Sequence, residues 1–380
     1  MPIRLGVPKE ITLGERRVAL VPDVVARLVK KGFHVVVEKD AGKTAFFTDD
    51  VYRSAGAEIV GNASAVYAAA DIVLRVQPPS LEEISALKAS SMVIGLMAAH
   101  ANIDRVRRMQ EKGVTSFSLE LVPRITRAQA MDVLSSQATV AGYKAALLAA
   151  NMTGRFLPML TTAAGTIRPA RVLIMGAGVA GLQAIATARR LGAIVEAYDV
   201  RRAAGEQVLS LGAKFLALEI NAEGSGGYAR ELTAEEKVQE QEMLARHVGE
   251  ADAVITTAQI PGRAAPRLIS RAMVERMKPG SVVIDLAAES GGNCELTKAG
   301  EVLDHHGVSV VGPVNIAATL PVHASEMYAK NMMSFLGLFS DDGSALTIDW
   351  NDEIIKGSLL TREGQIMNEA VRKLAEGGSS

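Results

Sequence analysis

The sequence predicts an α/β protein with two doubly wound parallel-sheet domains joined by long helices. Short apolar runs such as "IRLGVP", "HVVVE" and "SMVIGLM" alternate with amphipathic stretches, the pattern of βα units around a buried parallel sheet. The stretch from Val172 to Arg201, "VLIMGAGVAGLQAIATARRLGAIVEAYDVR", predicts a strand, a glycine turn, a helix and a second strand ending in an acid. That order is Rossmann-like, and a chain of 380 residues is long enough for two such domains.

The bulk composition excludes several classes of protein. A net charge of -1 gives no electrostatic attraction to nucleic acid or anionic lipid. The single cysteine, Cys294, excludes a disulfide framework and fits a reducing compartment such as the cytosol. We find no apolar run of about 18 residues, so we expect no membrane span. CxxC and HExxH patterns are absent from the sequence, so we predict no metal site.

Two long helical stretches suggest how the domains are connected. One runs from roughly residue 128 to 151, and the other is "HASEMYAKNMMSFLGLF" near the C-terminal end. We therefore expect residues 1–135 plus 320–380 to form a discontinuous N-terminal-type α/β domain. Residues 136–319 are expected to form the nucleotide-binding domain, with further strands at "ADAVITTA", "GSVVIDLA" and "GVSVVGP".

The glycine turn predicts a dinucleotide site. Gly176 allows the tight turn, Gly178 lets the backbone approach a pyrophosphate, and Gly181 lets the helix pack on the strand. Asp199 closes the next strand, where a carboxylate accepts hydrogen bonds from ribose hydroxyls and repels a 2′-phosphate; this favours NAD(H). A purely structural glycine turn is the alternative, and the nearby Arg201 could instead accept a 2′-phosphate. The predicted binding residues are Gly176, Gly178, Val179, Ala180, Gly181, Asp199, Val200 and Arg201.

Three further positions follow predicted strands. Thr257, Ala258 and Gln259 lie at the edge where open α/β sheets bind ligands. Glu289 and Asn315 also end strands and are candidates for the same site, or for a structural role. The histidines lie in no convincing catalytic motif; we expect His305 and His306 at the end of a helix.

The segment "PRITRAQAMDVLSSQA" is unusually rich in functional groups. It places a cation, an amide, an acid and a hydroxyl within twelve residues: Arg124, Gln129, Asp132 and Ser135. Asp132 and Ser135 share a helix face by their spacing, and Gln129 could join that face. Arg124 and Asp132 could pair with each other. The alternative is a capped helix start with a solvated face.

Longer motifs identify a family. "PRITRAQAMDVLSSQ", "GAGVAGLQAIATARRLGA", "TTAQIPGRAAP" and "MKPGSVVIDLAAESGGNCELT" closely resemble the NAD(H)-binding component of proton-translocating nicotinamide nucleotide transhydrogenases, over nearly the whole chain. The resemblance implies direct hydride transfer between NAD(H) on this chain and NADP(H) on a partner. It implies that Arg124, Asp132 and Ser135 orient the nicotinamide, and that Gln129 reaches toward NADP(H).

The same resemblance implies a mobile loop and an assembly. Tyr228 resembles the tyrosine of a loop that folds over bound nucleotide, with Gly226 and Gly227 as its hinge; an ordinary loop aromatic is the alternative. The family is typically a homodimer on the cytoplasmic, inner face of the cell membrane. It assembles with membrane-embedded subunits and with the NADP(H)-binding domain of the beta subunit. The chain ends before any membrane helix, as in the split form of the alpha subunit; a shortened longer subunit is the alternative.

The wider superfamily includes alanine dehydrogenase, which shares the start "VPKE…RVAL.P". Resemblance places that enzyme's two carboxylate-holding cations at Arg17 and Arg75, the second of which is a lysine there. Its catalytic histidine falls at Leu96, which cannot donate a proton, and its catalytic aspartate at Glu289. These departures argue against amino-acid oxidation, although an amino-acid dehydrogenase and a non-catalytic NAD(H) sensor remain as alternatives.

Overall fold

A computed structural model describes residues 2–217, 234–260, 263–340 and 342–377. The chain divides into two compact units, Met1–Gln137 with Ala317–Ser380, and Ala138–Ile316. Both units are α/β, which confirms the predicted fold class.

The strands and helices follow one another in βα order. In chain order the strands are β1 (Arg4–Val7), β2 (His34–Glu38), β3 (Glu58–Val60), β4 (Ile72–Leu74), β5 (Met92–Gly95), β6 (Thr115–Ser118), β7 (Leu160–Thr162), β8 (Gly165–Ile167), β9 (Arg171–Met175), β10 (Ile194–Tyr198), β11 (Lys214–Leu216), β12 (Ala253–Thr256), β13 (Val282–Asp285), β14 (Val302–His305), β15 (Val308–Val311), β16 (Leu359–Arg362) and β17 (Gln365–Ile366). The α-helices are α1 (Pro22–Lys30), α2 (Asp49–Ser54), α3 (Ala63–Ala69), α4 (Leu81–Ala86), α5 (Ile103–Lys112), α6 (Val133–Met152), α7 (Val179–Arg190), α8 (Ala204–Ser210), α9 (Ala234–Glu250), α10 (Arg271–Val274), α11 (Pro321–Leu336), α12 (Glu353–Ser358) and α13 (Glu369–Ala375). Short 3₁₀ helices span Lys43–Ala45, Ala99–Ala101, Leu119–Leu121, Thr126–Met131, Ala288–Ser290 and Ile316–Thr319.

The first unit, Met1–Gln137 with Ala317–Ser380, contains one large sheet in the order β17-β16-β6-β5-β4-β1-β2-β3. The strands from β6 to β3 are parallel, whereas β16 and β17 pair antiparallel at one edge. Chain order reverses between β1 and β4, so the loops that follow these two strands diverge and leave a crevice.

The second unit, Ala138–Ile316, repeats this arrangement. Its sheet has the order β11-β10-β9-β12-β13-β15-β14, in which only the edge strand β14 is antiparallel among the described residues. The reversal of chain order lies between β9 and β12, which pair in parallel with Ala253 opposite Val172. A separate antiparallel hairpin is formed by β7 and β8.

The short apolar runs are where the sequence predicts strands. The run "HVVVE" coincides with β2, and "RVLIM" coincides with β9. The antiparallel edge strands carry weaker patterns, and we did not predict their direction. His305 ends β14 and His306 occupies the following turn with φ 54°, so the expected helix end at these histidines is wrong.

The long helix α6 starts later than predicted. Residues Thr126–Met131 form a 3₁₀ helix instead, and Asp132 leaves the helical region with φ -75° and ψ 88°. Gln129 therefore lies on a different helical segment from Ser135, and the two do not share a continuous helix face. The division at Gln137 falls inside α6.

Apolar side chains fill both units. In the first, Phe117 contacts Phe335 and Phe339 edge-on, with ring centroids 5.9 Å and 5.0 Å away. In the second, small residues of α6 and α7 such as Ala145 and Ala184 are fully buried beside the sheet. Within the described ranges, none of the helices is long and apolar enough to cross a bilayer.

Glycine permits the close approach of α6 to α7 in the second unit. A Cβ atom added at Gly142 would lie 2.0 Å from the carbonyl oxygen of Ala180. Since that oxygen belongs to the backbone at the start of α7, it cannot rotate away.

Gly142→Ala should therefore lower the free energy of unfolding by about 1–3 kcal/mol through overpacking, despite alanine's better helix propensity. Gly249→Ala is the matched control, because its Cβ would meet the nearest atom at 3.4 Å inside helix α9. The control should be neutral or stabilising by up to about 1 kcal/mol. Urea denaturation of both variants measures the difference, and equal stabilities would contradict the close approach.

Candidate nucleotide-binding site

The crevice at the carboxyl ends of β9 and β12 lies where open α/β sheets bind ligands. Gly176 follows β9 directly and has φ 102°, a conformation that L-residues with a side chain rarely adopt. Thr257 follows β12, and its hydroxyl donates a hydrogen bond to the carbonyl oxygen of Gly176 at 3.1 Å. A Cβ at Gly176 would lie 2.5 Å from that hydroxyl oxygen. The two loops of the crevice are thus tied together.

The glycine turn is closely packed on one side and open on the other. A Cβ at Gly181 would lie 1.8 Å from the carbonyl oxygen of Gly176, so this glycine lets α7 pack against the turn. At Gly178, by contrast, a Cβ would meet no described atom within 4 Å. In the described structure no side chain caps the first turn of α7, which Gly178 precedes. Val179 and Ala180 therefore present backbone N–H groups at a positively polarised helix end, the arrangement that binds phosphate.

Asp199 is held against this turn. Its carboxylate accepts a hydrogen bond of 2.7 Å from the backbone N–H of Ala177. The guanidinium of Arg201 donates to both carboxylate oxygens, from Nε at 3.0 Å and from Nη2 at 2.9 Å. Burial alone would raise the pKa of Asp199, but the hydrogen bonds from Arg201 and Ala177 outweigh it and lower the pKa. The acid therefore stays ionised next to the glycine turn, and Arg201 is directed toward it. Between them Val200 is exposed.

A buried asparagine orders the loop after β12. The side chain of Asn293 accepts from the N–H of Ala258 at 3.0 Å and donates to the Ala258 carbonyl at 2.8 Å. The neighbouring Gln259 donates from its amide to the Leu286 carbonyl at 2.9 Å. Asn293 is completely buried, and the sequence patterns did not lead us to select it. Its place after two consecutive glycines in "ESGGN" was the available signal.

The loop that carries Asn293 depends on a buried acid at the end of β13. Asp285 accepts hydrogen bonds from the Thr256 hydroxyl at 2.8 Å and the Thr297 hydroxyl at 2.6 Å. It also accepts from the backbone N–H groups of Ala287 and Cys294, each at 3.0 Å. Cys294 is fully buried, and burial raises the pKa of its thiol.

Glu289 and Asn315 meet at the same sheet edge. The Glu289 carboxylate accepts a hydrogen bond of 3.1 Å from the backbone N–H of Asn315, whose φ is 44°. Both positions stay predictions as binding residues. Gly226, Gly227 and Tyr228 lie outside the described residues.

In the first unit, the polar segment before α6 is built around Asp132. Its carboxylate caps α6, because Oδ1 accepts from the Ser135 N–H at 2.9 Å and Oδ2 accepts from the Ser135 hydroxyl at 2.6 Å. Arg124 and Gln129 are exposed, and neither side chain has a hydrogen bond or ion pair among the residues that the structure describes. The suggested pairing of Arg124 with Asp132 is therefore wrong, since Ser135 occupies the carboxylate.

Comparisons with known proteins place these features in one family. The model of the alanine dehydrogenase/PNT N-terminal domain matches residues 6–141, and the model of the C-terminal domain matches residues 145–369. The chain belongs to this family. It is 44% identical to the first of the polypeptides that make up the NAD(P) transhydrogenase alpha subunit of Rhodospirillum rubrum, over 97% of this chain and 99% of that one. The solved transhydrogenase of Sinorhizobium meliloti has a TM-score of 0.88 and 46% identity, covering 96% of this chain and 99% of that one.

The alanine dehydrogenase of Mycobacterium tuberculosis is also similar, with 30% identity over 97% of this chain and 96% of that one. The resemblance to transhydrogenase alpha subunits that the sequence motifs predicted is confirmed. The family includes both kinds of protein, so the residues of the first unit at which the two differ become informative.

The crevice between β1 and β4 in the first unit is filled by an ion-pair cluster. Arg75 is 1% exposed and pairs with two carboxylates, Glu10 at 3.1 Å and Glu83 at a shorter distance. The Tyr67 hydroxyl donates to Glu83 at 2.9 Å. Burial raises the pKa of Glu10, and the surrounding carboxylates raise the pKa of Arg75 against the effect of burial. Two internal acids thus compensate this single cation.

Arg17 is compensated in the same way. Its guanidinium donates to Glu15 from Nε at 2.9 Å and from Nη2 at 2.7 Å, and both residues are buried. Gln77 donates to the same carboxylate at 2.7 Å. Burial alone would raise the pKa of Glu15, but the hydrogen bonds and charge of Arg17 lower it to about 2. The family's alanine dehydrogenases are expected to use these two cations for substrate; here both have internal carboxylate partners.

One group of potential metal ligands was not predicted. Glu275, His305 and His306 offer ligand atoms within 4.8 Å of one another. A hydrogen bond of 3.1 Å between His305 Nε2 and the Glu275 carboxylate already accounts for the central contact. We assign no metal to this exposed group.

The Glu15 pair predicts a pH dependence of stability. Because the folded pKa of Glu15 is about 2 and its ordinary value is 4.5, its stabilising effect is complete above pH 4.5 and is lost as pH falls toward 2. The advantage of the unsubstituted protein over Glu15→Gln should therefore shrink by roughly 3 kcal/mol across that interval. Urea unfolding at several pH values measures this difference. An advantage that stays constant from pH 5 to 3 would contradict the lowered pKa.

Proposed function

We propose that this chain is the NAD(H)-binding component of a proton-translocating transhydrogenase. It would bind NAD(H) at the crevice between β9 and β12 and exchange hydride directly with NADP(H) on a partner domain. The observation that carries the proposal is the contrast between the two crevices. The second unit leaves open space at Gly178 beside an uncapped helix end, whereas in the first unit glutamates already compensate both candidate cations for a small substrate.

The residues of the β9–β12 crevice suit a dinucleotide. The N–H groups at the start of α7 suit a pyrophosphate, and the Asp199 carboxylate suits ribose hydroxyls. The negative charge that Asp199 keeps through its lowered pKa would repel a 2′-phosphate, which favours NAD(H) over NADP(H). Thr257, Ala258 and Gln259, ordered by Asn293, would form the opposite side of the crevice.

Direct hydride transfer explains the lack of an acid–base residue. A C–H bond of the reduced nicotinamide breaks with its electron pair, and the same pair forms a C–H bond on the oxidised nicotinamide. No proton enters or leaves, so no side chain must act as general acid or base. The reaction depends instead on holding the reacting carbons about 3–3.5 Å apart. The position of the dehydrogenase histidine is Leu96, which packs against the apolar core of the first unit.

The segment before α6 would supply this positioning. We assign Arg124, Asp132 and Ser135 to orienting the NAD(H) nicotinamide, and Gln129 to the partner's NADP(H). Exposure supports the last assignment, because the Gln129 amide is solvent-accessible and has no other hydrogen-bond partner in the described part of the chain. Tyr228 would fold over the bound nucleotide, with Gly226 and Gly227 as its hinge.

The wider context follows from the transhydrogenase relatives. Some are named as whole alpha subunits and others as the first portion of a divided alpha subunit, which implies further chains. We propose a homodimer that lies on the inner, cytoplasmic face of the cell membrane. It would bind membrane-embedded subunits that translocate protons and the NADP(H)-binding domain of the beta subunit.

A paired assay on the purified chain tests the proposal against its rivals. NADH is supplied with pyruvate and ammonium in one reaction, and with an NADP⁺-loaded transhydrogenase partner domain in the other. We expect oxidation of NADH only with the partner domain, because both Arg17 and Arg75 already pair with glutamates. Oxidation with pyruvate and ammonium would establish an amino-acid dehydrogenase. NADH binding without turnover in either reaction would indicate a sensor.

Asp199→Ala tests the ribose contact. Loss of the acceptor should weaken NADH binding by about 1–3 kcal/mol. It should also narrow the preference for NADH over NADPH, since Arg201 loses its carboxylate partner. Asp199→Asn is the control, because it keeps an acceptor oxygen for the Ala177 N–H while it removes the charge. Calorimetric titration gives both affinities; an unchanged NADH affinity in Asp199→Ala would remove this residue from the site.

A further inference from the structure

Two buried amides hold the segment that contains Asp132 onto helix α11. On one side of Asp132, the Asn331 amide donates a hydrogen bond of 2.9 Å to the carbonyl oxygen of Ala130. On the other side, the Gln137 amide donates at 3.1 Å to the carbonyl oxygen of Ala324. Both side chains belong to residues that are 9% exposed. We call Gln137 and Asn331 the amide clamp.

The amide clamp is itself held by the ion pair in the β1–β4 crevice. Arg17 Nη1 donates to the Gln137 side-chain oxygen at 2.8 Å, while Nε and Nη2 bind the Glu15 carboxylate. Gln137 thus accepts from one element and donates to another, so its amide has one favoured orientation. Charged partners make such hydrogen bonds roughly twice as strong as neutral ones. The buried guanidinium therefore orients the first turns of α6.

We propose that Arg17 and Gln137 are positioning residues for hydride transfer: the buried series Glu15–Arg17–Gln137 orients the start of α6, and through it Asp132 and Ser135. This inference rests on the proposed function, because it assigns a purpose to the segment that would orient the nicotinamide. It also gives Arg17 a role that does not involve a substrate carboxylate.

The geometry links Gln137 to Asp132 over a single helical turn. Ser136 donates its N–H to the Asp132 carbonyl at 3.2 Å, and Gln137 donates to the Ser136 hydroxyl at 3.3 Å. The Asp132 carboxylate in turn holds the N–H and the hydroxyl of Ser135. A shift of this turn would therefore move both groups together. Displacements of about 1 Å are enough to slow a reaction up to a hundredfold.

The neighbouring cluster around Arg75 provides a matched control. Glu83 is also 9% exposed and also pairs with a buried arginine. It has no hydrogen bond to α6 among the described residues. Glu83→Gln should therefore perturb the same crevice without moving Asp132.

The test compares Gln137→Leu, Gln137→Glu, Glu83→Gln and Asp132→Asn in the full chain. Hydride transfer is measured with NADPH on a transhydrogenase partner domain and the 3-acetylpyridine analogue of NAD⁺. NADH affinity is measured by calorimetry, and amide hydrogen exchange follows Ser135 and Ser136 in the absence of nucleotide. Gln137→Glu keeps an acceptor for Arg17 and loses only the donor to Ala324, so it serves if Gln137→Leu does not fold.

We expect both Gln137 variants to slow hydride transfer about tenfold to a hundredfold, with NADH affinity changed less than about twofold. Exchange at Ser135 and Ser136 should become faster, and Glu83→Gln should change neither property. In the Asp132→Asn background the Gln137 substitutions should have little further effect, because both act on one step.

Three results would overturn the inference, and they are distinguishable. Normal transfer in both Gln137 variants, with slow transfer in Asp132→Asn, would refute the positioning role and leave the proposed function intact. Equal slowing in Glu83→Gln would show that general destabilisation is the cause. Normal transfer in Asp132→Asn would remove the whole segment from the reaction, and the proposed role of that segment would fail with the inference.

Discussion

The reversal of strand order beside the first strand of each sheet is the constraint on which the rest of this structure depends. In a parallel sheet all carboxyl ends meet at one edge, and diverging loops leave polar backbone groups that need partners. The two units meet that need differently. Around β9 and β12 a few hydrogen bonds, such as that from Thr257 to Gly176, order the loops and leave Gly178 open. Around β1 and β4, buried glutamates and arginines satisfy one another.

This difference accounts for the division of work that we propose. Buried ion pairs rarely add net stability relative to apolar packing, because desolvation offsets their attraction, but they strongly favour one arrangement over others. The Glu15–Arg17 pair lies beside the start of α6, where orientation is the property that hydride transfer requires. The sheet edge that binds a ligand in one unit would thus serve in the other as the support for a reacting segment.

Sequence reasoning succeeded where the partners are close along the chain. The glycine turn and Asp199 lie within 24 residues, and the hydrogen bond from Ala177 to Asp199 joins them as expected. It failed where partners are distant: Arg17 and Gln137 are 120 residues apart, and no local pattern marks their contact. It also placed the start of α6 too early, since the 3₁₀ helix Thr126–Met131 has helix-forming residues and only tertiary contacts such as that of Asn331 with Ala130 distinguish it. The antiparallel edge strands β14, β16 and β17 depend on pairing that a short apolar run cannot specify.

The burial of Cys294 has a consequence for a protein that works between two nicotinamide pools. It is the only cysteine of the chain, it is fully buried, and its raised pKa keeps the sulfur protonated. Oxidants and alkylating reagents attack the exposed thiolate, so this thiol is a poor target for either. The folded chain should therefore tolerate an oxidising shift without forming sulfenic acid or mixed disulfides. For the same reason, a cysteine introduced on the surface would react alone, and a single fluorophore could be attached without first removing the native thiol.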